Sequence, residues 1–242
     1  DFKLNPVLRF GGKRSKSSRF SDEFINIFGK PLTKKSKISK EYKDLAFNVQ
    51  WLLERIVSLL VKDLIGKTNI PYLCLAGGVH MNCKLNGVLA NLPEVDKIYV
   101  QPASSDNGVS LGAAMLSAKN DKGSFTKMSH CYYGNNFSNS NIEKALNEAK
   151  IKFKKYNNIE KEVAKHLAKG KIIGWFQGRS EVGARALGNR SILANPLIKN
   201  MKNKLNIEVK HRENWRPFCP SINDYKYKEY FGDVPESDFM IL

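Results

Sequence analysis

Over residues 174–196, "GWFQGRSEVGARALGNRSILANP", Arg179, Arg185 and Arg190 are interleaved with Gly178, Gly183 and Gly188. A guanidinium is a planar fork that matches two oxygens of a phosphate or carboxylate, and glycine lets backbone approach a ligand closely. The stretch predicts an anion site at the end of a strand. A solvated loop with scattered charge is the plainer alternative.

Two further turns carry residues suited to chemistry. "LAGGVHMN" at 75–82 sets Gly77 and Gly78 between a buried strand and a helix, where free amides and a helix N-terminus can receive a phosphate or let a nucleotide pack closely. Plain turn geometry competes with that reading. "QPASSDNGVSLGAA" at 101–114 places Asp106 where a strand turns into a helix. Its carboxylate either caps the helix or offers oxygen to a cation, and capping is the simpler reading. His80, inside the glycine turn, reads as a packed or surface histidine in preference to a catalytic base.

These turns need elements to hold them. Leu45, Val49, Leu52, Leu53, Ile56, Leu60 and Leu64 recur at three- and four-residue steps, which predicts a long helix from Glu41 to Ile65 ended by Gly66. "IPYLCLAGG" then reads as a buried strand, "HMNCKLNGVLAN" as a helix, "KIYVQP" as a strand and "SSDNGVSLGAAMLSA" as a turn opening a helix. That alternation implies an α/β layer. A second unit begins near Lys122: "NIEKALNEA" as a helix, "IKFKKY" as a strand, "IEKEVAKHLAKG" as a helix, "KIIGWFQ" as a strand into the arginine loop, and "IKNMKNKLNIEVK" as a helix. Residues 1–40, with Gly11, Gly12, Gly29 and Pro31, read as a connecting segment.

Composition bounds the function. The 242 residues, 42% hydrophobic, are enough for one large or two modest domains. The 40 Lys+Arg against 23 Asp+Glu, formally +17, raise nucleic acid as a partner. The lysines are spread along the whole chain, so a solvated surface explains them more simply, and the run "KPLTKKSKISKEYK" reads as a linker. No apolar run approaches a membrane span and no leader opens the chain, so no membrane association is expected. Cys74, Cys83, Cys131 and Cys219 lie far apart without a CxxC pair. This pattern suggests neither zinc nor a disulfide framework, and a reducing cytoplasm fits best.

Taken together, "LAGGVHMNCKLNG", "YVQPASSDNGVSLGAA", "GWFQGRSEVGARALGNRSILANP" and "VKHRENWRPFCPS" resemble, in order, the motifs of the O-carbamoyltransferase family of nodulation and antibiotic-tailoring enzymes. The resemblance covers nearly the whole chain. It implies the C-terminal part of an actin/hexokinase-like domain over residues 1–121, then part of a threonylcarbamoyl-adenylate-synthase-like α/β domain over 122–242. Such an enzyme combines carbamoyl phosphate with ATP into carbamoyl-adenylate and passes the carbamoyl group to a hydroxyl of a small metabolite or sugar. Carried over by position, Arg185, Lys210 and Arg212 would hold carbamoyl phosphate and the adenylate phosphate, with Arg179, Asn189, Arg190 and Ser191 beside them. Gly77, Gly78 and Asn82 would line the nucleotide, and Asp106 would be one ligand of a divalent metal, iron in the best-known members, with magnesium as the alternative.

The sequence departs from the family's pattern in places. Ala184 stands where the family has proline in "GPRALG", and Val182 where an aromatic is common. The four histidines show no HxxxH spacing, and the family's metal-binding histidine pair belongs to an N-terminal part outside this sequence. Asp1 rather than methionine opens the chain, and "ESDFMIL" closes it before the second domain should be complete, so it reads as an internal fragment, expected to be inactive alone. A tRNA-threonylcarbamoylation enzyme and a nonenzymatic nucleic-acid-binding module are the competing readings. Motif spacing fixes neither the acceptor nor the oligomeric state, and a homodimer is compatible with it.

Overall fold

The computed structural model describes residues 22–30, 32, 37–121, 123, 128–232 and 237–242. The Gly11–Gly12 pair, the start of the expected connecting segment and Lys122 lie outside them. The chain divides into two compact units after Val61.

Helix α1 (Asp22–Phe28) lies in the first unit, as does α2 (Lys40–Thr68) up to Val61, and the Tyr42 hydroxyl donates to the Lys30 carbonyl at 2.6 Å. The apolar period predicts α2, but its end differs from expectation. The helix runs through Gly66 to Thr68, and the chain turns at Asn69, whose φ of 54° is left-handed. Asparagine tolerates that conformation, and Pro71 two residues on cannot extend a helix. Most of the predicted stripe is solvent-exposed: Val49, Leu52, Ile56, Leu60 and Leu64 are each about half accessible, and Val61 is the helix's buried residue among those described.

The second unit is mixed α/β. Strand β1 (Tyr72–Leu75), helix α3 (Cys83–Ala90), strand β2 (Lys97–Val100) and helix α4 (Val109–Asn120) alternate as expected. The strands pair in parallel, Tyr72 opposite Lys97 through Leu75 opposite Val100. A parallel pair needs a crossover, and α3 supplies it. Leu85 and Leu89, one helical turn apart, are completely buried, and Leu75 and Val100 end their strands in the same apolar interior. The glycine turn ends in a 3-10 turn at Gly78–Met81, so α3 starts later than the periodicity suggests. Asn82 sets that start: its side-chain oxygen accepts from the Leu85 amide at 3.1 Å.

Helices α5 (Asn139–Glu148) and α6 (Ile159–Ala168) follow, α5 opened by a reciprocal capping box between Ser138 and Asn141 and α6 by the Asn158 side chain. Residues 151–156, expected as a strand, are irregular and exposed. A strand persists only with a ladder partner, and none of the described strands pairs with this stretch. Strand β3 (Ile173–Phe176) pairs antiparallel with β4 (Arg190–Leu193), a strand that the alternation pattern did not reveal. The arginine loop, residues 177–189, is thus the connection of a hairpin. Beyond it, the expected helix over 198–210 is a short α7 (Met201–Lys204) continuing into a π-helical turn, Leu205–Val209, and α8 (Tyr227–Phe231) closes the set.

Candidate functional site

The hairpin loop is held from inside by one carboxylate. Glu181 Oε1 accepts from the backbone amides of Leu187 at 2.8 Å, Asn189 at 2.7 Å and Arg190 at 3.2 Å. Burial pushes its carboxyl up, but the backbone amides outweigh burial and hold it below the ordinary carboxylate range. The chain from 181 to 190 is thereby closed into a ring with Arg185 near its apex. From outside, Val182 N–H donates to the Cys131 carbonyl at 2.7 Å and the Tyr132 hydroxyl to the Leu187 carbonyl at 2.8 Å. Gly183, at φ 115°, brings its backbone against Pro102, where an added Cβ would meet the Pro102 carbonyl at 2.8 Å. This glycine serves backbone packing, and no other residue fits there.

The three arginines differ sharply in engagement. Arg190 donates to the carbonyls of Gln177 at 2.6 Å, Asn189 at 2.9 Å and Gly178 at 3.2 Å, and its guanidinium lies 3.5 Å from the Phe176 ring centroid. Those contacts use its fork to shape the hairpin. Arg179 is exposed, with one long contact of 3.5 Å to the Gly134 carbonyl. Arg185 is half-buried and reaches back over the chain: its Nη2 donates to the Met81 carbonyl at 3.3 Å. Its Nε is buried and has no hydrogen-bond partner among the described residues. A buried guanidinium N–H without an acceptor is costly, and an anion would supply one.

The Met81 contact joins the arginine loop to the glycine turn. Gly77, at φ 95° and ψ 160°, adopts backbone open to glycine alone, and no atom of the described residues lies within 4 Å of where a Cβ would sit on Gly77 or Gly78. Beside this open space the Ser104 hydroxyl lies 3.3 Å from Met81 Sδ, which brings the Asp106 turn in as well. Asp106 is exposed and does not cap α4: its carboxylate makes no hydrogen bond or ion pair among the described residues. It is an oxygen donor open to a cation. No group of three His, Cys, Asp or Glu side chains fit to hold a metal occurs among the described residues, so these residues alone do not form a metal centre.

The remaining predicted residues fall into two groups. Asn189 and Ser191 are engaged locally, Asn189 Nδ2 donating to the Arg179 carbonyl at 2.7 Å and Ser191 Oγ accepting from Gly188 N–H at 3.0 Å. Lys210 and Arg212 flank His211, whose φ of 49° is rare for a residue with a side chain. Arg212 is pinned by Asn206, wholly buried in the π-helical turn: Arg212 Nε donates to Asn206 Oδ1 at 2.7 Å, while Asn206 Nδ2 donates to the Asn214 and Arg216 carbonyls. Lys210 is exposed. Cys219 lies within electrostatic reach of Arg185: burial pushes its thiol up, Cys83 adds to that, and Arg185 opposes both. An open groove of about 520 Å³ near Gly170, Met201 and Ile207 contains none of the predicted residues.

Sequence reasoning missed Glu181 and Asn206, which organise the two arginine-bearing segments. The signal for Glu181 was a lone acid inside a glycine- and arginine-rich loop. For Asn206 there was none, since asparagine in a predicted helix is ordinary.

Comparisons with known proteins converge on one family. Residues 7–115 match the carbamoyltransferase N-terminus family and residues 164–242 the carbamoyltransferase C-terminus family. The chain is 34% identical over 231 residues to the uncharacterized protein sll1178 of Synechocystis, covering 91% of this chain and 38% of that protein. It is 39% identical over 205 residues to the nodulation protein NolNO of Sinorhizobium fredii, covering 82% of this chain and 30% of that one. With the 3'-hydroxymethylcephem-O-carbamoyltransferase of Amycolatopsis lactamdurans it shares 30% identity over 169 residues, 70% of this chain and 31% of that enzyme. The chain thus spans well under half the length of these relatives. Both family matches lie on the turns that carry Gly77, Asp106 and Arg185, and the chain belongs to the carbamoyltransferase family.

Proposed function

We propose that this chain is the part of an ATP-dependent O-carbamoyltransferase that binds the phosphate of carbamoyl phosphate and of the carbamoyl-adenylate made from it. One observation carries the reading: Arg185, between the arginine loop and the open glycine turn, holds a buried N–H without an acceptor among the described residues. An anionic phosphate satisfies that donor and gains the bidentate fork. Lys210 and Arg212 supply further charge, Arg212 in a fixed orientation and Lys210 as a point charge. Gly77 and Gly78 leave room for the nucleotide, and Asn82 holds the start of α3 behind it. Carbamoyl transfer builds negative charge on the carbonyl oxygen and the leaving phosphate, and fixed donors stabilise that charge without reorganising.

The resemblance divides the work near Lys122, an actin/hexokinase-like part handling transfer and a synthase-like part forming the adenylate. Asp106 contributes one carboxylate to a divalent metal, iron or magnesium, with the other ligands supplied from outside the described residues; when bound, such a metal polarises a carbonyl oxygen. The acceptor is a hydroxyl on a small molecule, as in the hydroxymethyl group named for the cephem relative.

Calorimetry tests the anion site directly. Carbamoyl phosphate and inorganic phosphate are expected to bind this chain and to lose ten- to hundredfold in affinity in Arg185→Ala. Equal affinities in the two proteins remove Arg185 from the site. In the full-length protein, carbamoyl phosphate-dependent release of pyrophosphate from ATP checks adenylate formation, and its absence refutes that step.

A further inference from the structure

We infer that His80 is the proton acceptor for the hydroxyl that receives the carbamoyl group. Asn86 on α3 is a completely buried polar residue. Its Nδ2 donates to two carbonyls, of His80 at 2.8 Å and of Ile241 at 2.8 Å. Both amide hydrogens are therefore committed, and turning the amide over would set its oxygen against two carbonyl oxygens. This fixes Oδ1 as the atom 3.0 Å from the Nδ1 of His80. An amide oxygen only accepts, so Nδ1 must carry the hydrogen. In the neutral ring the lone pair then sits on Nε2.

The rest of His80 is fixed as firmly. Its backbone N–H donates to the Gly77 carbonyl at 3.0 Å and its carbonyl accepts from Asn86, so ring and backbone are clamped to the same residue. The ring is half-buried, and Nε2 has no partner among the described residues. The next residue, Met81, is the one whose carbonyl receives Arg185 and whose sulfur meets Ser104. His80 thus stands in the turn where the arginine loop, the open glycine space and the Asp106 turn come together. A histidine oriented through one nitrogen, with the other free, is the arrangement of a general base.

This role rests on the carbamoyl-transfer reading. The acceptor oxygen bonds to the carbamoyl carbon and its proton passes to Nε2. The bond from that carbon to the phosphate-borne oxygen breaks, and the leaving phosphate keeps the electron pair. The products are a carbamate ester, a phosphate monoester and an imidazolium that returns its proton to solvent. Nothing is oxidised or reduced. On sequence alone His80 reads as a packed or surface residue; the Asn86 clamp is what separates it from both.

Two measurements test the role. Nitrogen-15 NMR of this chain at a pH where the ring is neutral is expected to show His80 protonated at Nδ1 and bare at Nε2; the reverse tautomer overturns the assignment whatever the activity. In the full-length protein, with water as the acceptor probe, His80→Gln is expected to slow ATP-dependent breakdown of carbamoyl phosphate a hundredfold or more while its dissociation constant stays within threefold. A rate within threefold of wild type overturns the role of His80 and leaves the carbamoyl reading standing. No breakdown at all by the wild-type protein overturns the carbamoyl reading, and the role with it, even where the tautomer is as expected.

Discussion

Arg190 and Arg185 sit five residues apart in one hairpin loop, and their surroundings treat them in opposite ways. Arg190 faces three carbonyls within 3.2 Å and stacks on Phe176, so its fork is consumed by the protein itself. Among the described residues Arg185 makes one 3.3 Å bond and keeps a buried Nε without an acceptor. The same side chain is a strut at one end of the loop and an open receptor at the other. A count of arginines says little about ligand binding; the carbonyls within reach of each say much more.

The contrast predicts separable losses. The largest belongs to Arg185→Ala, expected to weaken carbamoyl phosphate binding by about 1.5 to 3 kcal/mol, with a melting temperature close to wild type. Arg190→Ala should do the converse: a stability loss of about 2 kcal/mol in urea unfolding, with phosphate affinity of the folded protein changed less than threefold. Equal effects of the two variants on binding would erase the distinction between strut and receptor.

Glu181 sharpens the comparison through pH. Its folded carboxyl lies below the ordinary range of about 4.3 for glutamate. The stability it contributes is present above the unfolded pKa and is lost as pH falls through the folded one. Wild type should therefore lose stability in acid more steeply than Glu181→Gln, and parallel urea midpoints across that window would show that the three amides do not depend on its charge. The smallest effect belongs to Asp106→Ala. An exposed carboxylate that caps nothing should cost less than about 0.5 kcal/mol of stability, while the full-length protein loses divalent metal. A clear drop in melting temperature would mean that Asp106 is structural after all.

Much of this architecture was legible in the residues because period and punctuation are local. The alternation from β1 to α4 follows from apolar runs broken by Gly77–Gly78 and by the Asp106 turn. The end of α2 did not follow, since Gly66 lacks the conformation that stops a helix and Asn69 adopts it. The apolar stripe on α2 was legible as a helix face, although what covers such a face is never written in its own period. Residues 151–156 alternate well enough to read as a strand, yet the ladder partner that decides the matter is nonlocal. At the site, glycine and arginine types announced an anion loop. Which arginine stays open depends on Glu181, Met81 and Asn206, contacts that form only when distant segments meet.

The seat of Gly183 on Pro102 bears on how the gene can be dissected. These residues lie in the two separately matched family segments, yet their backbones touch without room for a methyl group. A cut between the segments would uncover buried Pro102 where Gly183 packs on it and, if placed after Cys131, would break the Cys131–Val182 pairing. Expressed apart, each half would present a sticky, unsatisfied edge. Expressed together from two open reading frames, they have a template for finding each other again.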